Sequence, residues 1–198
     1  MTRPRVLLDC DGVLSDFLTF SIQTMYELSG RLYRADQITD WDLFQTFDPA
    51  FKHEFFYECG RRGVASSLEV CAGSLEGVAR LRLVADIYIV TSPMRNAPFW
   101  VAEREAWLDK HFSIPRNHVV HTEAKHVCAG DVFVDDKPAN VREWSRANPN
   151  GIGLLWDAPY NRLDRGLTRA SDWATVLQAV QTLTERTERG VLCEDSSG

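Results

Sequence analysis

Five runs of the chain are nearly continuous in apolar residues: RVLLD at 5–9, DIYIVT at 86–91, HVVH at 118–121, DVFVDD at 131–136 and GIGLLW at 151–156. Each has the length of a strand, and none alternates cleanly between polar and apolar positions. Strands of that kind need both faces covered, as at the centre of a parallel sheet. Between them the spacing becomes helical. Over 97–112, Trp100, Val101, Arg104, Trp107, Leu108 and Phe112 share one stripe, with Pro98 near the start. Over 171–184, Trp173, Val176, Leu177, Val180 and Leu183 do the same behind Ser171, a residue type that caps helices. The alternation predicts a doubly wound α/β fold with a parallel sheet.

Residues 17–74 break this rhythm and contain no convincing strand. Phe17, Leu18, Ile22, Met25 and Leu28 form a helical face closed by Gly30, and Asp48-Pro49 opens a second helix that runs to Cys59-Gly60. The stretch between them, TDWDLFQTF at 39–47, is rich in aromatics. The pattern predicts an α/β core, 1–16 and 75–198, carrying a small helical cap, 17–74, inserted after strand one. Trp41, Phe44, Phe47, Phe51, Phe55 and Phe56 read mostly as the core of that cap, with one or two free to stack on a ligand ring. The closing GVLCEDSSG reads as a frayed tail.

A chain of 198 residues suits one domain, or one with a modest insertion. With 44% hydrophobic and 25% charged residues it reads as a soluble globular protein with ample core. A formal charge of −6 speaks against coating a nucleic-acid polymer. Five cysteines, odd in number and without C-x-x-C spacing, point away from a disulfide framework and toward the cytoplasm. The N-terminal apolar run meets acids after four residues, so it predicts neither a signal peptide nor a membrane span.

The chemistry gathers at the predicted strand ends, where open parallel sheets bind ligands. Strand one ends in Asp9 and Asp11, the second in Thr91 and Ser92, and the third is followed by Lys125. DVFVDD ends in Asp135 and Asp136. Four carboxylates on one rim repel and raise each other's pKa unless a cation joins them, and hard oxygen ligands with room for water favour Mg²⁺. Lys125 is no metal ligand, so it points to a second anion, such as a phosphoryl group. A histidine metal site is disfavoured, because His118 and His121 fall on opposite faces of a strand.

In order and context, Asp9-Cys10-Asp11-Gly12-Val13, Thr91-Ser92, Lys125 and Asp135-Asp136 resemble the four motifs of the haloacid dehalogenase-like phosphohydrolases. DGVLSDF at 11–17, the helix around Glu105 to Asp109 and Pro159-Tyr160-Asn161 resemble the 5'(3')-deoxyribonucleotidase branch. The resemblance implies a Mg²⁺-dependent phosphomonoesterase. Asp9 is then the nucleophile and Asp11 the proton shuttle. Asp9, the Asp11 carbonyl and Asp136 hold the metal, with Asp135 behind them. Thr91, Ser92, Lys125 and Arg104 contact the phosphoryl group, and Phe17 and Trp41 clamp a base; Arg104 also falls on the buried helix stripe, where an ordinary ion pair is the equal alternative. The implied partner is a small phosphorylated substrate, a nucleotide by this branch; a homodimer stays open.

Two positions depart from the branch. Glu123 stands where it usually has a basic residue, and Gly63-Val64-Ala65 replaces an aromatic segment. Small side chains there would widen the pocket or weaken base stacking, which leaves a sugar phosphate or another phosphorylated metabolite as the alternative substrate. A response-regulator receiver also carries acids, a hydroxyl residue and a lysine at its strand ends. It lacks the insertion and the Asp9/Asp11 spacing. A catalytically silent binding protein of this fold should have lost a motif, and none is lost.

Overall fold

The computed structural model describes residues 3–194, with side chains described for 3–185. Six parallel strands form one sheet in the order β3-β2-β1-β4-β5-β6. They are β1 (Arg5–Leu8), β2 (Asp86–Thr91), β3 (Val119–His121), β4 (Val132–Asp135), β5 (Ile152–Trp156) and β6 (Arg169–Ala170). Central β1 pairs with β2 through Leu8↔Ile89 and with β4 through Leu8↔Val134. This register brings the carboxyl ends of β1, β2 and β4 level, so residues just beyond them face a common crevice.

Helices α4 (Ser74–Leu81), α5 (Trp100–Phe112), α6 (Pro138–Ala147) and α7 (Trp173–Glu194) complete the doubly wound layers. The apolar runs are buried as their composition requires. Val6, Leu8, Val132 and Val134 pack in one cluster with Trp107 and Val176, while Leu7, Phe133 and Trp144 fill another. All five predicted strands are present, within a residue or two at their ends. The sixth, β6, was not expected, because two residues, one of them Arg169, carry no hydrophobic signal. Asp172 rather than Ser171 caps α7, accepting the Thr175 N–H at 2.8 Å. That helix also outruns its predicted end at 184 and reaches Glu194, because Glu and Arg extend a helix well without an apolar stripe. Residues 195–198, the end of the expected frayed tail, lie outside the described residues.

Between β1 and α4 the chain is helical. It forms α1 (Phe17–Ser29), short 3₁₀ turns, α2 (Lys52–Cys59) and α3 (Val64–Ser67), with no strand in residues 17–67. Asp16 caps α1 by accepting the Thr19 N–H, and Gly30 ends it at φ 69°. The connections into and out of this segment run side by side. The Asp16 N–H donates to the Glu69 carbonyl and the Cys71 N–H to that of Leu14. Phe47 and Phe55 are buried with Met25 and Ile38. Tyr160 and Met94, from beyond β5 and β2, belong to the same cluster, so the insertion is packed onto the rim of the sheet. Among the described residues no helix is long and apolar enough to cross a membrane.

The fit between α4 and α7 can be tested at Gly77. A Cβ added there would stand 2.7 Å from Trp173 Cδ1 and closer still to two other ring atoms. Alanine in a helix interior normally gains up to about 1 kcal/mol over glycine. Here the overlap should reverse the sign, and Gly77→Ala should lose about 1–3 kcal/mol. Urea denaturation measures the loss; an unchanged or raised midpoint would contradict this packing.

Candidate active site

The turn after β1 sets up the site. Cys10 accepts the backbone N–H groups of Val13, Leu14 and Ser15 at its carbonyl, which folds the chain sharply back under the strand. Gly12 makes the turn at φ 79°. A Cβ there would stand 2.6 Å from the Tyr160 hydroxyl and closer to the Asp136 carboxylate, so both conformation and space demand glycine. Asp9 and Asp11 thus project from either side of a tight turn at the end of the central strand.

Lys125 is the electrostatic centre of the floor. It is buried, and its Nζ lies 2.7 Å from Asp9 Oδ1 and 2.7 Å from Asp135 Oδ2. Burial alone would discharge this lysine, but Asp135 and Asp9 outweigh it and hold its pKa above the ordinary value. Asp135 is fully enclosed. It also accepts the Lys137 N–H at 2.8 Å and both of its oxygens accept from Asn140 Nδ2. Its lone pairs are therefore already engaged. Asp136 is held differently: Tyr160 donates its hydroxyl to Oδ2, and Asn161 Nδ2 donates to the Asp136 carbonyl at 2.7 Å.

Asp9, Asp135 and Asp136 each bring a carboxylate oxygen within 4.8 Å of one another. One lysine cannot balance three buried acids. Burial, only partly opposed by Lys125, raises the Asp9 pKa well above its ordinary value, and burial with the Asp135 charge pushes Asp136 up to about 7. This is a donor set of hard oxygens short of positive charge, and it fits a divalent cation.

Above the floor opens a cavity of about 800 Å³. Asp9, Asp11, Thr91, Ser92, Lys125 and Asp136 all line it, as the sequence predicted, and Phe17 and Trp41 face it from the insertion. Phe44, Phe55 and Phe56 extend the aromatic wall. Thr91 is buried, whereas Ser92 is exposed and donates to the Thr122 carbonyl. Arg104 is the exception. Of its two expected roles, phosphoryl contact or an ordinary ion pair, it takes the second: it is fully buried outside the wall and bonded to Asp11 and Ser15. Helical spacing placed it on the buried stripe of α5, and that burial removes it from the surface a ligand meets.

The first departure from the branch pattern is less adverse than the sequence implied. Glu123 does line the cavity, but Arg95 pairs with both its oxygens at 2.8 and 2.7 Å, so no bare negative charge faces a bound anion. Val64 and Ala65 do not line it at all. Ala65 is buried against Leu68 and Trp100, and Val64 borders a separate hollow beside Phe20 and Thr24. Neither side chain therefore forms part of the cavity wall. Sequence reasoning missed the roles of Ser15, Asn140, Tyr160 and Asn161. Pro159-Tyr160-Asn161 stood out as a motif, but only the fold shows the tyrosine meeting Asp136. It also missed Lys137, whose Nζ lies 3.7 Å from the centre of the Trp41 ring.

Comparison with known proteins agrees with this geometry. The family model described as "5' nucleotidase, deoxy (Pyrimidine), cytosolic type C protein" matches residues 3–186. A 5'(3')-deoxyribonucleotidase of Bacillus subtilis (strain 168) is 25% identical over 175 residues, 86% of this chain and 95% of the relative. The mitochondrial 5'(3')-deoxyribonucleotidase of Mus musculus is 26% identical over 187 residues, 89% of this chain and 84% of the relative. Among solved structures, a haloacid dehalogenase-like family hydrolase from Xanthomonas campestris superposes with a TM-score of 0.56 at 17% identity, covering 95% of this chain and 94% of that one. One from Streptococcus pneumoniae gives 0.56 at 10%, covering 89% and 97%. At those identities the structures speak for the fold alone.

The acid cluster predicts how stability responds to pH and metal. Without a cation, folded Asp136 keeps its proton up to about pH 7, whereas an unfolded aspartate releases it near about 3.9. Between those values the folded state binds more protons, so this group's contribution falls as pH rises. A cation that binds the ionised cluster offsets that loss. The melting temperature with Mg²⁺ or Mn²⁺, minus that in EDTA, should be near zero at about pH 5 and reach about 5–10 °C at about pH 8 with saturating metal. A difference that stays flat with pH would contradict the reading of the cluster.

Proposed function

The chain belongs to the 5' nucleotidase, deoxy (pyrimidine), cytosolic type C family, and from that membership we propose that it is a Mg²⁺-dependent 5'(3')-deoxyribonucleotidase working through an aspartyl-phosphate. That it is a phosphoric monoester hydrolase follows from the family itself. The observation that carries the finer reading is the convergence of Asp9, Asp11, Thr91, Lys125 and Asp136 on one cavity floor beneath an aromatic wall.

In this mechanism Lys125 and the Cys10 N–H hold Asp9 at Oδ1, and no hydrogen bond from the described residues reaches Oδ2. Oδ2 attacks phosphorus in line, the bond to the substrate alkoxide breaks, and Asp11 gives that alkoxide its proton. A water then attacks the aspartyl-phosphate, Asp11 takes the proton back, and phosphate departs from Asp9. Thr91, Ser92 and Lys125 hold the phosphoryl oxygens. Asp9, Asp136 and the Asp11 carbonyl, which no backbone donor among the described residues meets, would hold Mg²⁺. Bound there, the ion would neutralise the crowded acids and draw charge from the phosphoryl oxygens. Asp135, with its lone pairs engaged by Lys125, Lys137 and Asn140, fixes the floor instead.

The proposed base site lies between Phe17 and Trp41. The Phe17 ring meets Trp100 edge-on at 6.4 Å, and Trp41, exposed and with Lys137 over its ring, lines the same cavity. A cavity of about 800 Å³ is ample for a nucleoside monophosphate. The polar mouth residues Arg95, Asn96 and Glu123 keep another small phosphomonoester as the second reading.

Turnover of p-nitrophenyl phosphate should depend on Mg²⁺ and stop with EDTA. Asp9→Asn should lose several kcal/mol of barrier lowering, since covalent catalysis is gone. On an alkyl phosphate, whose alkoxide must be protonated, Asp11→Asn should slow the chemical step roughly 10²–10⁴-fold with phosphate affinity kept. Metal-independent turnover or a fully active Asp9→Asn enzyme would refute the mechanism.

A panel of nucleotides and sugar phosphates, read as kcat/KM, tests the substrate. A deoxyribonucleotide should lead, and Trp41→Ala should cost it about 1–3 kcal/mol of binding. A wild type that prefers sugar phosphates would end the nucleotidase reading and leave the phosphatase standing.

A further inference from the structure

Arg104 takes part in no step above, yet its surroundings are closely built. Its guanidinium carbon lies 4.9 Å from the centre of the Trp100 ring and 5.6 Å from that of Trp107. Nη2 donates to Asp11 Oδ1 at 2.6 Å and Nη1 to Ser15 Oγ at 3.2 Å. Ser15 Oγ donates to the same Oδ1 at 2.6 Å. Nε meets no acceptor among the described residues, so every hydrogen bond the arginine makes goes to Asp11 or to the serine that also holds Asp11. Two tryptophans and complete burial fix the guanidinium, and the guanidinium and Ser15 fix one oxygen of the carboxyl group.

The geometry points to Arg104 as the positioning residue of the proton shuttle: together with Ser15 it locks Asp11 Oδ1 as an acceptor and so confines the exchangeable proton to Oδ2. An oxygen that accepts from a cationic N–H and a hydroxyl cannot also carry a proton without turning a donor against it. When Asp11 is in its acid form, the proton must therefore stand on the other oxygen. Asp11 lines the cavity and its side chain is 26% exposed, so the oxygen left free of Arg104 and Ser15 is the one available to a leaving group, whereas Arg104 at 0% has no access. This rests on the aspartyl-phosphate reading above and adds to it which oxygen transfers the proton and what aims it.

Leaving-group dependence separates aiming from other roles, because kcat/KM reads only the steps through leaving-group departure. An alkyl phosphate needs its alkoxide protonated, while p-nitrophenolate departs unaided. In Arg104→Gln and Ser15→Ala, kcat/KM on the best alkyl phosphate of the panel should fall about 10²-fold or more for the first and less steeply for the second. On p-nitrophenyl phosphate it should fall by less than about tenfold in both. The orthophosphate inhibition constant should stay unchanged, and Arg104→Lys should recover part of the alkyl phosphate activity. Equal losses on the two substrates, or weakened orthophosphate inhibition, would overturn the inference and return Arg104 to a structural or phosphate-holding role. Should Arg104→Gln fail to fold, as circular dichroism would show, the ratio of the two substrates in Ser15→Ala decides alone. A wild type inactive on every phosphomonoester would refute the underlying hydrolase reading before any variant is compared.

Discussion

The ammonium of Lys125, enclosed between Asp9 and Asp135, is the interaction on which the site depends. Three carboxylates gathered at buried strand ends would otherwise take up protons or push apart. One lysine holds two of them at hydrogen-bonding distance without satisfying all the charge. The remaining deficit leaves the floor receptive to a cation, and only with that charge added would an anion be welcome beside it. A second lysine would have stabilised the apoprotein better, but it would have filled the place that a metal needs.

Parallel pairing makes that arrangement cheap to assemble. Because β1 lies between β2 and β4 in level register, Asp9, Thr91 and Asp135 reach one rim from strands far apart in sequence. Each strand contributes one or two polar residues at or past the end of its apolar run, so the charge gathers at the strand tips, Asp135 being the last residue of β4. The second layer of support comes from farther along the chain. Tyr160 and Asn161 in the turn after β5 hold Asp136 by its side chain and its carbonyl. Gly12 leaves the room that Tyr160 and Asp136 occupy.

What the sequence made legible follows from how local each signal is. Apolar runs of four to six residues announced five strands, and the acids, hydroxyls and lysine just beyond them announced the floor. β6 escaped because two residues carry no period, and the cap of α7 fell to Asp172 because Ser171 and Asp172 offer the same chemistry one residue apart. Arg104 was placed on the right helix face with two readings open, a phosphoryl contact or an ordinary ion pair, and the partner could not be named. A cation on a buried stripe must find a buried anion, and only the folded turn shows that this anion is Asp11. Glu123 looked adverse in one dimension because its counter-charge, Arg95, lies 28 residues away.

The sheet is framed by unusually brief edges, three residues in β3 and two in β6. An exposed strand edge is a template on which another chain can polymerise, and length is what makes it dangerous. Here a six-stranded sheet rich in valine, isoleucine and leucine offers a stranger two or three backbone positions on either side. The same economy that hid β6 from the sequence thus protects the protein from fibril-like association.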